Sequence, residues 1–258
     1  MAVTRRRALI SGLMLVAGAV VAACTGKSPL SAASPTPPAT STPAPSPTPT
    51  AAPEAAPVPA CVVTPAETEG PYFVDEKLNR SDIRADASGA NLRPGTALTL
   101  AFGVYRMNGS GCQPWPGVQV DVWHCDADGV YSDESAQRSV GENYLRGYQL
   151  TDDKGMARFQ TIYPGWYMGR AVHVHFKIRA FSGGQKTYEF TSQVFFDDAA
   201  TDLVYAAAPY SSRPAREVRN ANDMVYTGNN NSGAQLLVKL GSDGAGGYLG
   251  TFSIGLQA

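Results

Sequence analysis

The sequence lacks a surplus of charge of either sign: 21 lysines and arginines face 22 aspartates and glutamates, a formal net charge of −1. A general nucleic-acid binder needs a clear basic excess, so that class is excluded. No internal repeat is visible. Cysteine is limited to four residues, and their spacing lacks the close pairs that structural zinc sites prefer. Histidine is scarcer still, with three in 258 residues. Two of those three, His173 and His175, are separated by a single valine.

The N-terminal residues carry processing signals. Arg5, Arg6 and Arg7 precede the apolar run ALISGLMLVAGAVVAA, which ends at Cys24. The run is short for a spanning helix and is expected to be an export signal over residues 1–24, of either the general or the twin-arginine type. VAAC resembles a bacterial lipobox, which makes Cys24 the candidate lipidation site. An uncleaved anchor helix is the alternative. Residues 25–60 are dominated by Pro, Ala, Ser and Thr, the composition of a solvated, semi-extended tether. The folded domain is therefore expected over 61–258, outside the cytoplasm. Its one membrane contact would be the N-terminal lipid anchor, at the outer face of a bacterial membrane. An oxidising compartment suits one disulfide and one free thiol among Cys61, Cys112 and Cys125, and the pairing stays open.

Within the domain, short runs alternate apolar and polar residues between turn formers. ALTLAFGVYR (97–106), VQVDVWHC (118–125), ARFQTI (157–162), VHVHFKIRA (172–180), TYEFTSQVFF (187–196), QLLVKL (235–240) and YLGTFSI (248–254) each predict a strand. GSGCQPWPG, DDKG and FSGGQ predict turns, GSDGAGG a hairpin, and DAATDLVYAAA a short helix capped by Asp198. The fold class is all-β: an antiparallel β-sandwich with little helix. Residues 64–94 and 207–233 are long irregular segments of the kind that line sites.

On a strand, residues i and i+2 share a face. His173 and His175 would project together, about 6–7 Å apart along the strand, able to hold one metal ion, while Val172, Val174 and Phe176 face a core. Paired strand histidines can equally be satisfied polar residues. Tyr167 lies beyond a Pro-Gly turn before them, and Tyr131 ends the turn CDADGVY. A phenol with an ordinary pKa near 10 is a poor ligand unless a highly charged cation stabilises its phenolate. Two tyrosines with two histidines suit Fe(III) better than zinc, calcium or magnesium. With twelve tyrosines in the chain, each could also be a plain strand-end aromatic. His124 reads as structural, and DADG as a turn without the carboxylates of a calcium loop.

Five ordered segments resemble the intradiol ring-cleavage dioxygenases, the family of catechol and protocatechuate dioxygenases. They are TPAETEGPYF (64–73), VDVWHCDADGVYSD, TIYPGWY, RAVHVHF and TSQVFF. The resemblance implies a non-haem Fe(III) held by Tyr131, Tyr167, His173 and His175, with Tyr167 the tyrosine that a substrate displaces. It makes Arg170 the stabiliser of negative charge on the substrate and places Gln193 near the iron. Gly70, Pro71 and Tyr72 would border the substrate pocket. The implied reaction cleaves a catecholic ring between its two hydroxylated carbons, incorporates both atoms of O2 and yields a muconate-type diacid. The implied partners are a catecholic small molecule and O2. The helical N-terminal domain of the cytoplasmic catechol dioxygenases is replaced here by the signal and tether, so their mode of dimerisation does not carry over. A tethered β-sandwich that binds a catechol, a siderophore or a surface ligand without ring cleavage is the competing reading.

Overall fold

The computed structural model describes residues 62–109 and 111–258; the export signal, Cys24, the tether and Cys61 lie outside them. The alternating runs become strands because each has one apolar face to bury. In chain order the strands are β1 (Ala97–Asn108), β2 (Gly111–Pro114), β3 (Gln119–Trp123), β4 (Arg146–Leu150) and β5 (Met156–Ile162). They continue as β6 (His173–Ser182), β7 (Gln185–Phe195), β8 (Lys239–Ser242) and β9 (Tyr248–Leu256). One sheet is organised on β1, which pairs with β5 and β2 along one edge and with β9 along the other, β8 lying beyond β9. The second sheet has the order β4-β3-β6-β7. Every pair of strands is antiparallel except β1–β9, which is parallel.

The sandwich closes on Leu100, Phe102 and Val104 of β1 and on Val120, Val122, Val174, Phe176 and Ile178 of β3 and β6, all buried in one cluster. Phe102 and Phe176 meet with ring centroids 5.6 Å apart. Burying such a ring is worth about 1.5–3 kcal/mol.

Several expectations are corrected. The segment GSGCQPWPG is not only a turn, because its middle forms β2 against the end of β1. The sequence RGYQL becomes β4 although it has no alternating pattern; Arg146 is buried there by polar partners rather than by apolar ones. Most of QLLVKL is not a strand: Ser232–Leu236 is a 3-10 turn, Leu237 makes one isolated bridge to Phe195, and the strand begins at Lys239. Short apolar runs do not by themselves distinguish the two. The helix α1 (Asp198–Tyr205) is capped by Asp197, not Asp198. Asp197 accepts from the amides of Ala199 and Ala200 at 2.9 and 3.0 Å, and Asp198 is already helical. Cys112 is in a disulfide whose partner lies outside the described residues, and Cys125 is free and buried.

The outer face of the second sheet matters most for function. Along β6, His173, His175, Lys177 and Arg179 point away from the core, yet all four are buried. The segment before β1 covers them. Glu69 pairs with Lys177, the Phe73 ring sits 3.9 Å from the Lys177 ammonium, and Asp75 bonds Arg179 at 2.8 Å.

Candidate metal centre

Strand geometry brings the two histidines together as their spacing requires. His173 and His175 are 2% and 1% exposed, and their Nε2 atoms are 3.0 Å apart. His173 Nδ1 lies 2.7 Å from the carbonyl of Ala171, a contact that requires it to carry the proton. Its Nε2 is therefore unprotonated, with its lone pair turned toward the centre of the cluster. His175 is held differently. Its ring stacks on Trp123, the residue opposite it on β3, with centroids 5.0 Å apart and planes 8° from parallel.

The two tyrosines arrive on separate loops that grip each other. In CDADGVY, Asp126 Oδ1 accepts the amides of Asp128 and Val130, both at 2.9 Å, while Oδ2 pairs with Arg93. The turn ends by directing Tyr131 inward. The Tyr167 loop presses against it, with the Gly165 amide 3.0 Å from the carbonyl of Asp126. A Cβ at Gly165 would collide with the carbonyls of Asp126 and Ala127, and one at Gly129 (φ +82°) with that of Trp166. Both loops thus need glycine where they touch. Arg213 clips them together, donating to Ala127 O at 3.0 Å and Trp166 O at 2.8 Å. As a result Tyr131 and Tyr167 lie with ring centroids 5.7 Å apart, and Tyr167 Oη is 3.1 Å from His173 Nε2.

Burial keeps all four donors neutral. It raises the Tyr131 phenol well above its ordinary range, with the Tyr167 phenol adding to the effect, and pushes Tyr167 up to about 12. Burial, then the charge of Arg170, lowers His173 to about 3, and burial and His173 hold His175 well below its usual value. Tyr131 Oη is buried without a hydrogen-bond partner. Such an orphan costs about 1–3 kcal/mol, which a bound cation would relieve.

The donor set fits a ferric ion. Ligands about 2.1 Å from one ion and at right angles to each other are about 3.0 Å apart, as these nitrogens and the Tyr167 oxygen are. Among the described residues no three His, Cys, Asp or Glu side chains cluster as a metal site, so a cation here would be held through the phenols. Anionic oxygen with imidazole favours a hard, highly charged metal.

Other sequence-predicted residues surround this cluster to different degrees. Arg170 Nη1 lies 3.4 Å from His173 Nε2, and its Nη2 donates to Gln193 Oε1 at 2.7 Å. Gln193 is opposite His175 across the strands, and its amide donates to Thr68 O at 2.8 Å, so its side chain holds Arg170 and the covering segment. Tyr72 stacks on Tyr131 with centroids 4.3 Å apart, and a Cβ on Gly70 would lie 3.3 Å from His175 Cε1. Pro71, between them, is exposed. His124 stays outside the cluster, its nitrogens 2.8 Å from Cys125 O and 2.7 Å from Thr161 Oγ1. Three residues that support the site were not singled out from sequence. Trp123 belongs to a strand whose stacking partner depends on register, whereas Arg213 and Asp223 lie in the irregular 207–233 segment without a motif.

Comparison with known proteins identifies the family. A family model described as Dioxygenase matches residues 68–225, more than half of the chain. Chlorocatechol 1,2-dioxygenase of Pseudomonas putida is 30% identical over 102 residues, covering 32% of this chain and 38% of the relative. Hydroxyquinol 1,2-dioxygenase of Corynebacterium glutamicum is 29% identical over 136 residues, covering 45% of this chain and 42% of the relative. The chain thus spans about two-fifths of the length of these curated relatives. An intradiol ring-cleavage dioxygenase from Tetranychus urticae superposes with a TM-score of 0.65 at 27% identity, covering 76% of this chain and 95% of that one. The matched residues run from the covering segment through both tyrosine loops, the histidine strand and the Asp223 loop, and the chain belongs to the intradiol ring-cleavage dioxygenase family.

Proposed function

We propose that this protein is a non-haem Fe(III) intradiol dioxygenase acting on a catecholic aromatic. One observation carries the reading: two imidazole nitrogens and two neutral phenols converge in a buried site, one phenol oxygen having no partner. Tyr131, Tyr167, His173 and His175 would hold the metal. When bound, iron would supply the Lewis acidity that takes up both oxygens of a catechol and opens its ring to O2. The names of the chlorocatechol and hydroxyquinol relatives support a catechol as the substrate class.

The residues of the chain have definable parts in that chemistry. Held as a phenolate by a bound ferric ion, Tyr167 Oη, at the edge of the cluster and less enclosed than Tyr131, would be the base that takes up a proton from an incoming catechol hydroxyl and returns to the neutral phenol. Arg170 holds a permanent cation where negative charge develops on the ring, and a guanidinium is suited to this because it never gives up its proton. Gln193 keeps one arm of that guanidinium in place. The Gly70–Tyr72 turn closes over His175 and Tyr131 and excludes water. The product is the muconate-type diacid that retains both oxygen atoms of O2. We place the enzyme outside the cytoplasm, lipid-anchored through Cys24, on the strength of Arg5–Arg7 and the apolar run that follows.

Reconstitution with ferric iron tests the reading. The loaded protein is expected to show a broad visible tyrosinate band that shifts on adding catechol, and to consume one O2 per catechol. A protein that stays colourless overturns the metal assignment. A coloured protein that binds catechol without consuming oxygen is a binder, not an oxygenase.

A further inference from the structure

The long irregular segment before β8 contributes one fully buried charge, Asp223, which is 0% exposed. Its two carboxylate oxygens are each doubly engaged. Oδ2 accepts from Arg170 Nε at 2.8 Å and from the Ala171 amide at 2.7 Å. Oδ1 accepts from the amides of Val225 and Tyr226 at 2.8 and 2.9 Å. Burial opposes the charge, but the bond to Arg170 and these amides outweigh it and keep the carboxyl below its ordinary pKa.

The consequence for Arg170 is geometric. An arginine side chain has many rotamers, and this one begins at the end of an exposed turn containing Met168 and Gly169. Asp223 takes its Nε edge and Gln193 takes Nη2, which leaves Nη1 directed at the histidine cluster, 3.4 Å from His173 Nε2. The same Asp223 oxygen also binds the amide of Ala171, the residue whose carbonyl orients His173. One carboxylate therefore sets both the guanidinium and the backbone leading into the histidine strand.

We propose that Asp223 is the positioning residue for Arg170, aiming its guanidinium at the substrate site from the irregular segment before β8. This rests on the dioxygenase reading for its kinetic consequence, though not for its geometry. An amide cannot replace the carboxylate. Whichever way it is turned, its NH2 faces two donors, either Arg170 Nε and Ala171 N or Val225 N and Tyr226 N.

The test is Asp223→Asn in the iron-loaded protein. The visible tyrosinate band is expected to persist, because none of the four ligand side chains is removed. kcat is expected to fall at least tenfold while KM for catechol changes less than threefold, the pattern of a group that acts in the transition state. In the crystal structure of the variant, Arg170 is expected to leave its 2.7 Å contact with Gln193. A loaded Asp223→Asn enzyme with kcat within twofold of wild type, or with Arg170 unmoved, overturns the proposal. If Asn at this position prevents folding, Asp223→Glu and Asp223→Gln separate charge from size. Glu should keep at least ten times the kcat of Gln, and equal values overturn the assignment. If the loaded wild type turns over no catechol, the functional reading fails, and the position of Arg170 in the crystal structure of the Asn or Gln variant alone decides the role of Asp223.

Discussion

The two faces of the β4-β3-β6-β7 sheet are made from alternate residues of the same strands, and both are buried, yet they are opposite in chemistry. The inner face is Val120, Val122, Val174, Phe176 and Ile178, packed against the facing sheet. The outer face carries Asp121, Trp123, His173, His175, Lys177, Arg179 and Gln193 beneath the 67–78 segment and the tyrosine loops. Apolar burial needs only shape, whereas each buried polar group needs a specific partner. Most on the outer face have one: Arg179 bonds both Asp75 and Asp121, and Lys177 pairs with Glu69 and Glu189. The shortfall is local. Of the six buried side-chain atoms without a partner among the described residues, Trp123 Nε1, Tyr131 Oη and His175 Nδ1 belong to the candidate metal centre and its stacking residue. Of these, Tyr131 Oη is the one that a cation held by the cluster would satisfy.

Substitutions on the two faces should separate these roles. The largest effect is expected at the cluster itself. Tyr131→Phe or His175→Ala should lower ferric-ion uptake more than a hundredfold, read by iron content and loss of the visible band, because each removes a donor. Thermal stability of the metal-free protein should hold for Tyr131→Phe, which deletes only an unpaired hydroxyl. Opposite behaviour is expected one residue away. Phe176→Ala should cost about 3–5 kcal/mol of unfolding free energy in denaturant titration by opening a cavity between the sheets. Iron uptake by the fraction that remains folded should be retained.

The smallest effect concerns His124, the histidine outside the cluster. Burial holds its pKa down to about 4, so below pH 6.5 the unfolded chain takes up a proton there that the folded one refuses. Its share of stability is fully present above pH 6.5 and is lost as pH falls toward 4, at about 1.4 kcal/mol per pH unit. Denaturation of wild type and His124→Asn across that range should diverge in slope. Parallel slopes would mean that His124 is not held neutral.

Much of the architecture was legible because period-two alternation is a local signal. The segments of β1, β3, β5, β6, β7 and β9 were each predicted close to where they lie, and the His-x-His spacing alone put both imidazoles on one face. β4 was not legible, since the burial of Arg146 depends on Ser132 and Tyr72 far along the chain. Asp223 was invisible for a similar reason: nothing in its surroundings marks an aspartate that binds a residue fifty-three positions away. Trp123 looked like any strand aromatic until register set it opposite His175.

By itself, then, the sequence determined which residues could do chemistry and which face of β6 would carry them, because side-chain direction on a strand follows from the backbone. It also determined the family through ordered motifs. Only the tertiary structure decided that Tyr131 reaches the histidines, through two glycines that let the loops touch and an arginine that clips them. Only the structure decided that Arg170 is aimed by Asp223. These are contacts between distant segments, and their energies depend on distance and exclusion of water, which no local pattern of residues encodes.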